Sequence, residues 1–176
     1  MIELIKGDIT KVKVDVIVNA ANKNLLGGGG VDGAVHRAAG PTLKEECLLL
    51  PADEQGRRCP TGEVRVTGGG TLPARWVIHA VGPFYNHRHA EKARQQLRQV
   101  HQQALQAAAA KGCRSVALPA ISKGAYRFPL AEAAPIALGE ALEQLRMPQP
   151  VELVGIVLFK LDARLGGDRA GAGSMG

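Results

Sequence analysis

Val14-Asp-Val-Ile-Val18-Asn-Ala-Ala-Asn22-Lys-Asn-Leu-Leu-Gly27-Gly-Gly-Gly30-Val-Asp32-Gly33 joins a β-branched run to four successive glycines. Val14–Val18 reads as a short strand covered on both faces. Gly28, Gly30 and Gly33 formally satisfy G-x-G-x-x-G, and Asp53 follows by 53 − 33 = 20 residues. A dinucleotide fingerprint, however, sets its first glycine directly after the strand. Here eight residues, Asn19 to Leu26, intervene, so that reading fails on context. A Walker loop fails because no Lys-Ser/Thr closes the run. What remains is a backbone whose N–H groups can approach an anion closely, with a helix starting near Gly33. Asn22 and Asp32 flank it, a carboxamide that grips hydroxyls and a carboxylate. The set suits a sugar-phosphate ligand. The structural alternative is a plain loop in which Asp32 caps the helix behind it.

A second loop, Pro119-Ala-Ile-Ser122-Lys-Gly124-Ala-Tyr126-Arg-Phe-Pro129, also follows an apolar run. Ala120-Ile-Ser122-Lys-Gly124 approximates a nucleophile elbow, whose chain order is Ser, acid, His. The last histidine is His101, before Ser122, so that order is not met. Ser122, Gly124 and the neighbouring amides fit a second anion cradle better, with Lys123 adding charge. Open α/β sheets bind ligands between such loops, at the carboxyl ends of their strands.

The rest of the chain supplies that sheet. Strands are expected at Ile2–Ile5, Val14–Val18, Glu63–Thr67, Trp76–Val81, Ser115–Leu118 and Val151–Phe159. Helices are expected at Gly33–Ala39, from Pro41 to Leu50, at Ala90–Lys111 and at Leu130–Arg146. Ala93, Leu97, Val100, Ala104 and Ala108 trace one face of the third of these. Ile136, Leu138, Leu142 and Leu145 are the expected core face of the last, with Pro135 uncomfortably early in it, tolerable in a first turn but not later. Alternating strands and helices argue for a layered α/β domain with a largely parallel sheet.

The chain has 176 residues, 22 Lys+Arg against 16 Asp+Glu, and a net charge of +6, which suits one domain with a taste for anions. Aromatics at 3% are too few for single-strand stacking platforms. Cys47, Cys59 and Cys113 are odd in number and scattered, implying neither a disulfide framework nor a zinc site. No apolar run would span a bilayer, and the charged start is unlike a signal peptide, so a cytoplasmic protein is expected.

These motifs resemble the macrodomain family, in particular the MacroD-type ADP-ribosylhydrolases. The resemblance is carried by Gly7-Asp8-Ile9-Thr10, Val16-Ile-Val-Asn-Ala-Ala-Asn22, Leu25-Leu-Gly-Gly-Gly-Gly-Val-Asp-Gly-Ala34, His36-Arg-Ala-Ala-Gly-Pro41, Cys59-Pro-Thr-Gly62, Val77-Ile-His-Ala-Val-Gly-Pro83 and Pro119-Ala-Ile-Ser122. It runs in order over about residues 1–160. It implies a three-layer α/β/α domain around a mixed, mostly parallel six-stranded sheet that binds ADP-ribose without metal or other cofactor. The domain is expected to end at 162, before an atypical Gly-rich tail at 163–176.

By the same resemblance, Asp8 accepts the adenine amino group and Ile9 lies beside the ring. Asn22 holds hydroxyls of the distal ribose, and Asp32 positions or activates water. Gly29, Gly30 and Val31, with Ser122, Lys123, Gly124, Ala125 and Tyr126, clamp the pyrophosphate and distal ribose. Phe159 stands against adenine. The implied reaction removes mono-ADP-ribose from acidic side chains and deacetylates O-acetyl-ADP-ribose. The implied partners are ADP-ribose and ADP-ribosylated proteins, met by a monomer with no membrane contact. Lys123, Ala125 and Arg127 depart from the family's usual Ser-Thr-Gly-Ile/Val-Tyr/Phe-Gly-Tyr/Phe-Pro loop. The alternative from another class is a non-catalytic module binding ADP-ribose or RNA, the latter through Arg88, Lys92, Arg94 and Arg98. His79 reads as a core histidine, His36 as a prop for the first loop, and His87 and His89 as solvated surface.

Overall fold

The structure is a computed structural model that describes residues 1–123 and 126–159. The expectations for Gly124, Ala125, the side chain of Phe159 and the segment from 160 onward, including the boundary at 162, lie outside the described residues.

Six strands form one sheet: β1 Ile2–Gly7, β2 Val16–Ala20, β3 Val64–Gly68, β4 Trp76–Ala80, β5 Ser115–Pro119 and β6 Leu153–Phe159. Their order is β1-β6-β5-β2-β4-β3, and β3 alone runs antiparallel to its neighbour. Among the described residues four α-helices cover it: α1 Gly30–Ala39, α2 Pro41–Leu48, α3 Ala90–Ala110 and α4 Leu130–Arg146. The strand alternation divides the core in two. Val16, Val18, Ile78, Val116, Leu118 and Val154 pack under α3 and α4. Ile17, Val77, Ala117 and Val157 face the other way, against Val35, Ala39 and Leu43 of α1 and α2. This is the expected three-layer α/β/α arrangement, and its inner strands are apolar because both faces are covered. No helix among the described residues is long and apolar enough to cross a membrane.

The chain runs from β2 through β3 to β4 on one side, then crosses by α3 to β5 and β6 on the other. The order therefore reverses between β2 and β5, whose carboxyl ends carry the two loops singled out above. A ligand crevice belongs at such a switch point.

Three local expectations are corrected. Helix α1 begins at Gly30 with Gly29 as its N-cap, so Asp32 is no cap but a buried residue of the first turn. Helix α4 turns Ala133, Ala137 and Ala141 inward, while Leu138 and Leu142 are exposed. Ile136 and Leu145, the other two residues expected on that face, are partly buried against the core. Pro135 sits inside α4, which runs on through it at the cost of one backbone hydrogen bond.

Candidate functional site

The loop after β2 is shaped by Asn22. Its Oδ1 accepts from the N–H groups of Asn24 and Leu25, both at 3.1 Å, and its Nδ2 donates to the Gly27 carbonyl at 3.1 Å. Leu25 takes a left-handed φ of 63° there, strained for a leucine. Its side chain is wholly buried among Ala21, Cys47, Cys59 and Val81, which holds the strained turn in place. Beyond it, Gly33 packs directly on the Gly28 carbonyl, leaving no room for a Cβ. That contact clamps the loop across the first turn of α1.

Asn22 and Asp32 converge at this clamp. A Cβ at Gly28 would lie 3.1 Å from Asp32 Oδ2 and 3.3 Å from Asn22 Nδ2. Asp32 Oδ1 accepts from Asn19 Nδ2 at 2.8 Å, and His36 Nε2, one turn along α1, stands 3.6 Å away. Burial raises the Asp32 pKa above the usual carboxylate range, opposed by the Asn19 hydrogen bond and then by His36. Asp32 is therefore a better proton acceptor than a solvated carboxylate, the reference from which the sequence alone must argue.

The helix start is open to solvent. Gly29 and Gly30 are exposed, with open space where a Cβ would point, and Gly30 has φ 57°. With Val31 they present backbone N–H groups at the positive end of α1. On the second loop Ser122 takes φ 68°, and its hydroxyl is buried with no hydrogen-bond partner among the described residues. Such an orphan is costly unless something else satisfies it. Gly82, after β4, must lack a side chain because the Ser122 hydroxyl fills that space. Lys123 is exposed. Tyr126 stacks on the exposed Phe84, ring centroids 4.0 Å apart. Burial and then the Asp32 charge push its phenol pKa up.

Asp8, at the end of β1, accepts from Thr10 N–H at 3.0 Å and Thr10 Oγ1 at 2.7 Å, both through Oδ1. Oδ2 is thereby left for another donor. Ile9 is a core residue, 1% exposed, so what it offers a ligand is backbone. Sequence reading places no functional weight on Asn19, Gly82 or Phe84. Asn19 carries a legible signal, since a carboxamide inside an apolar strand needs a buried partner. Gly82 and Phe84 become meaningful only once β4 and β5 flank β2 in the sheet.

Other polar clusters offer less. Arg94 pairs with Glu91 at 3.1 Å and Glu132 at 2.9 Å, and Arg98 with Glu91 at 3.2 Å, so half of the basic helix cluster is neutralised. Burial pushes the Cys47 and Cys59 thiols up to about 11, making them poor nucleophiles. Among the described residues no group of three His, Cys, Asp or Glu side chains is placed to hold a metal ion.

Residues 18–137 match the family model described as Macro domain. The chain is 51% identical to a macro domain-containing protein of Xanthomonas axonopodis pv. citri, covering 87% of each. It is 50% identical to the O-acetyl-ADP-ribose deacetylase of Klebsiella pneumoniae, covering 89% of this chain and 88% of that one. Among solved structures it is similar to an Oceanobacillus iheyensis macrodomain with ADP, at TM-score 0.83 and 44% identity over 90% of this chain and 83% of the other. A Trypanosoma brucei macrodomain in complex with ADP-ribose aligns at TM-score 0.79 and 40% identity, over 90% of this chain and 63% of that one.

Proposed function

The chain belongs to the macrodomain family, and on that premise we propose that it binds ADP-ribose and hydrolyses its acyl esters. The substrates are O-acetyl-ADP-ribose and mono-ADP-ribose linked to acidic protein side chains. The observation that carries this reading is the convergence of Asp32 Oδ2 and Asn22 Nδ2 where a Cβ of Gly28 would point, with the Asp32 pKa raised by burial. A relative named O-acetyl-ADP-ribose deacetylase supports the ester chemistry, and relatives holding ADP or ADP-ribose support the ligand.

In this reading the adenine amino group donates to Asp8 Oδ2. The pyrophosphate lies between the N-terminus of α1 and the second loop, where the Ser122 hydroxyl gains its missing partner. The distal ribose reaches Asn22 and stacks by the Phe84–Tyr126 pair. Asp32 takes a proton from a water that attacks the ester; the products are ADP-ribose and the free carboxylic acid. General base catalysis supplies about 10²–10⁴-fold, so positioning by the loop and the substrate's own phosphate oxygens must supply the rest.

A module that only binds ADP-ribose would need the cradle but no buried carboxylate at the ribose end, and Asp32 favours the enzyme. Calorimetric titration with ADP-ribose, followed by incubation with O-acetyl-ADP-ribose and a glutamate-linked mono-ADP-ribosylated protein, separates the two. Binding with release of free ADP-ribose is the expected result. Binding by the folded protein with no release from either ester would establish a reader instead.

A further inference from the structure

We propose that His79 is a positioning residue for this hydrolysis, fixing the orientation of the Asn19 carboxamide and so the hydrogen bond that aims Asp32. The inference rests on the ester-hydrolase reading above, and one of its readouts does not.

Asn19 on β2 and His79 on β4 are register partners, and Thr67 lies on the adjoining β3. All three are buried beneath α1 and α2, on a face otherwise built from apolar residues. Asn19 Nδ2 lies 2.8 Å from Asp32 Oδ1 and 3.4 Å from His79 Nδ1. An amide nitrogen only donates, so His79 Nδ1 must accept and its proton must sit on Nε2. His79 Nε2 then donates to Thr67 Oγ1 at 2.9 Å, and the Thr67 hydroxyl donates on to the Gly68 carbonyl at 3.1 Å. Cys47 Sγ closes the remaining side of Nε2 at 3.8 Å. The direction of every bond is thus set from both ends, by a carboxylate at one and a backbone carbonyl at the other.

Turning the Asn19 amide over would set Oδ1 against the Asp32 carboxylate and against the lone pair of His79. The observed orientation instead leaves Asn19 Oδ1 buried without a partner among the described residues. That unmet acceptor is what it costs to keep Nδ2 on both Asp32 and His79. Burial and then His36 hold the His79 pKa down at about 3, so the ring stays neutral and the chain of bonds is the same across the working pH range. The other titratable groups facing Asp32 and His79 are His36 on α1, Cys47 on α2 and Tyr126 on the second loop.

Three variants test this: His79→Leu removes both ring nitrogens, His79→Asn keeps an acceptor where Nδ1 lies, and Thr67→Val frees the far end. ADP-ribose affinity, kcat, KM and its pH profile are read alongside the carboxyl ¹³C signal of Asp32 followed across pH. In His79→Leu, kcat falls roughly 10- to 100-fold while ADP-ribose affinity changes by no more than about threefold. Loss of the Asn19 bond makes Asp32 easier to protonate, so the acid limb and the ¹³C titration both move to higher pH. His79→Asn restores most of the turnover and the wild-type titration, and Thr67→Val moves both in the leucine direction by less. Should His79→Leu not fold, Thr67→Val against wild type carries the comparison. An unchanged Asp32 titration in the folded variants overturns the proposal, as does an equal loss in His79→Asn and His79→Leu. If wild type turns over no ester yet the Asp32 titration shifts as stated, the hydrolase reading fails and the positioning role stands.

Discussion

Gly28 is where a single methyl group would separate function from folding. A Cβ there would meet Asp32 Oδ2 at 3.1 Å and Asn22 Nδ2 at 3.3 Å, contacts tight enough to push one of them aside. Gly28→Ala is expected to lower kcat by roughly 10- to 100-fold, since displacements well under an ångström at reacting groups carry costs of that order. Circular dichroism melting alongside the assay checks that the chain still folds. Asp32 adds a stability signature. Its raised pKa means the native chain holds a proton that the unfolded chain releases near 3.8, so stability falls as pH rises from that value through the folded pKa. Asp32→Asn, which keeps an oxygen for Asn19 and removes the charge, is expected to melt above wild type at pH 7. The two should converge below about pH 3.8, and the variant should have lost turnover. Equal melting temperatures at neutral pH would mean the burial penalty is compensated elsewhere.

Helix α4 makes the clearest case for how spacing misleads at the scale of an element. Leu138 and Leu142 satisfy a helical period, yet the core face is Ala133, Ala137 and Ala141. Ala141→Leu is therefore expected to cost roughly 1–3 kcal/mol by overpacking. Leu142→Ala should stay within about 0.5 kcal/mol; urea denaturation of each checks the ranking. Pro135→Ala restores the backbone donor missing inside α4 and should stabilise, by up to about 3 kcal/mol if the present helix is fully strained there. Elsewhere the elements were legible, because α3 buries Ala93, Leu97, Val100, Ala104 and Ala108 as its period demands. All six strands were legible too, their ends shifted by one or two residues. Strand β2, for example, starts at Val16 because the Asp15 backbone and carboxylate are engaged by Arg75, Arg114 and Ser115 instead.

For the whole molecule, the reversal of strand order between β2 and β5 turns two separate loops into one crevice. The proposal that the loops are anion cradles can be argued from glycines, Asn22, Asp32 and Ser122 alone. That Gly82 yields its space to Ser122, or that Phe84 and Tyr126 stack, depends on β4 and β5 flanking β2, which no local pattern encodes. The excess of positive charge fits an anionic ligand, while the α3 cations spend part of theirs on Glu91 and Glu132. The most direct test compares wild type with Asp32→Ala for release of ADP-ribose from a glutamate-linked mono-ADP-ribosylated protein, with ADP-ribose affinity measured for both. Release by wild type and its loss in the variant, at similar affinity, is the expected result. Full turnover by Asp32→Ala with unchanged binding would contradict the assignment of Asp32 and with it the hydrolytic site described here.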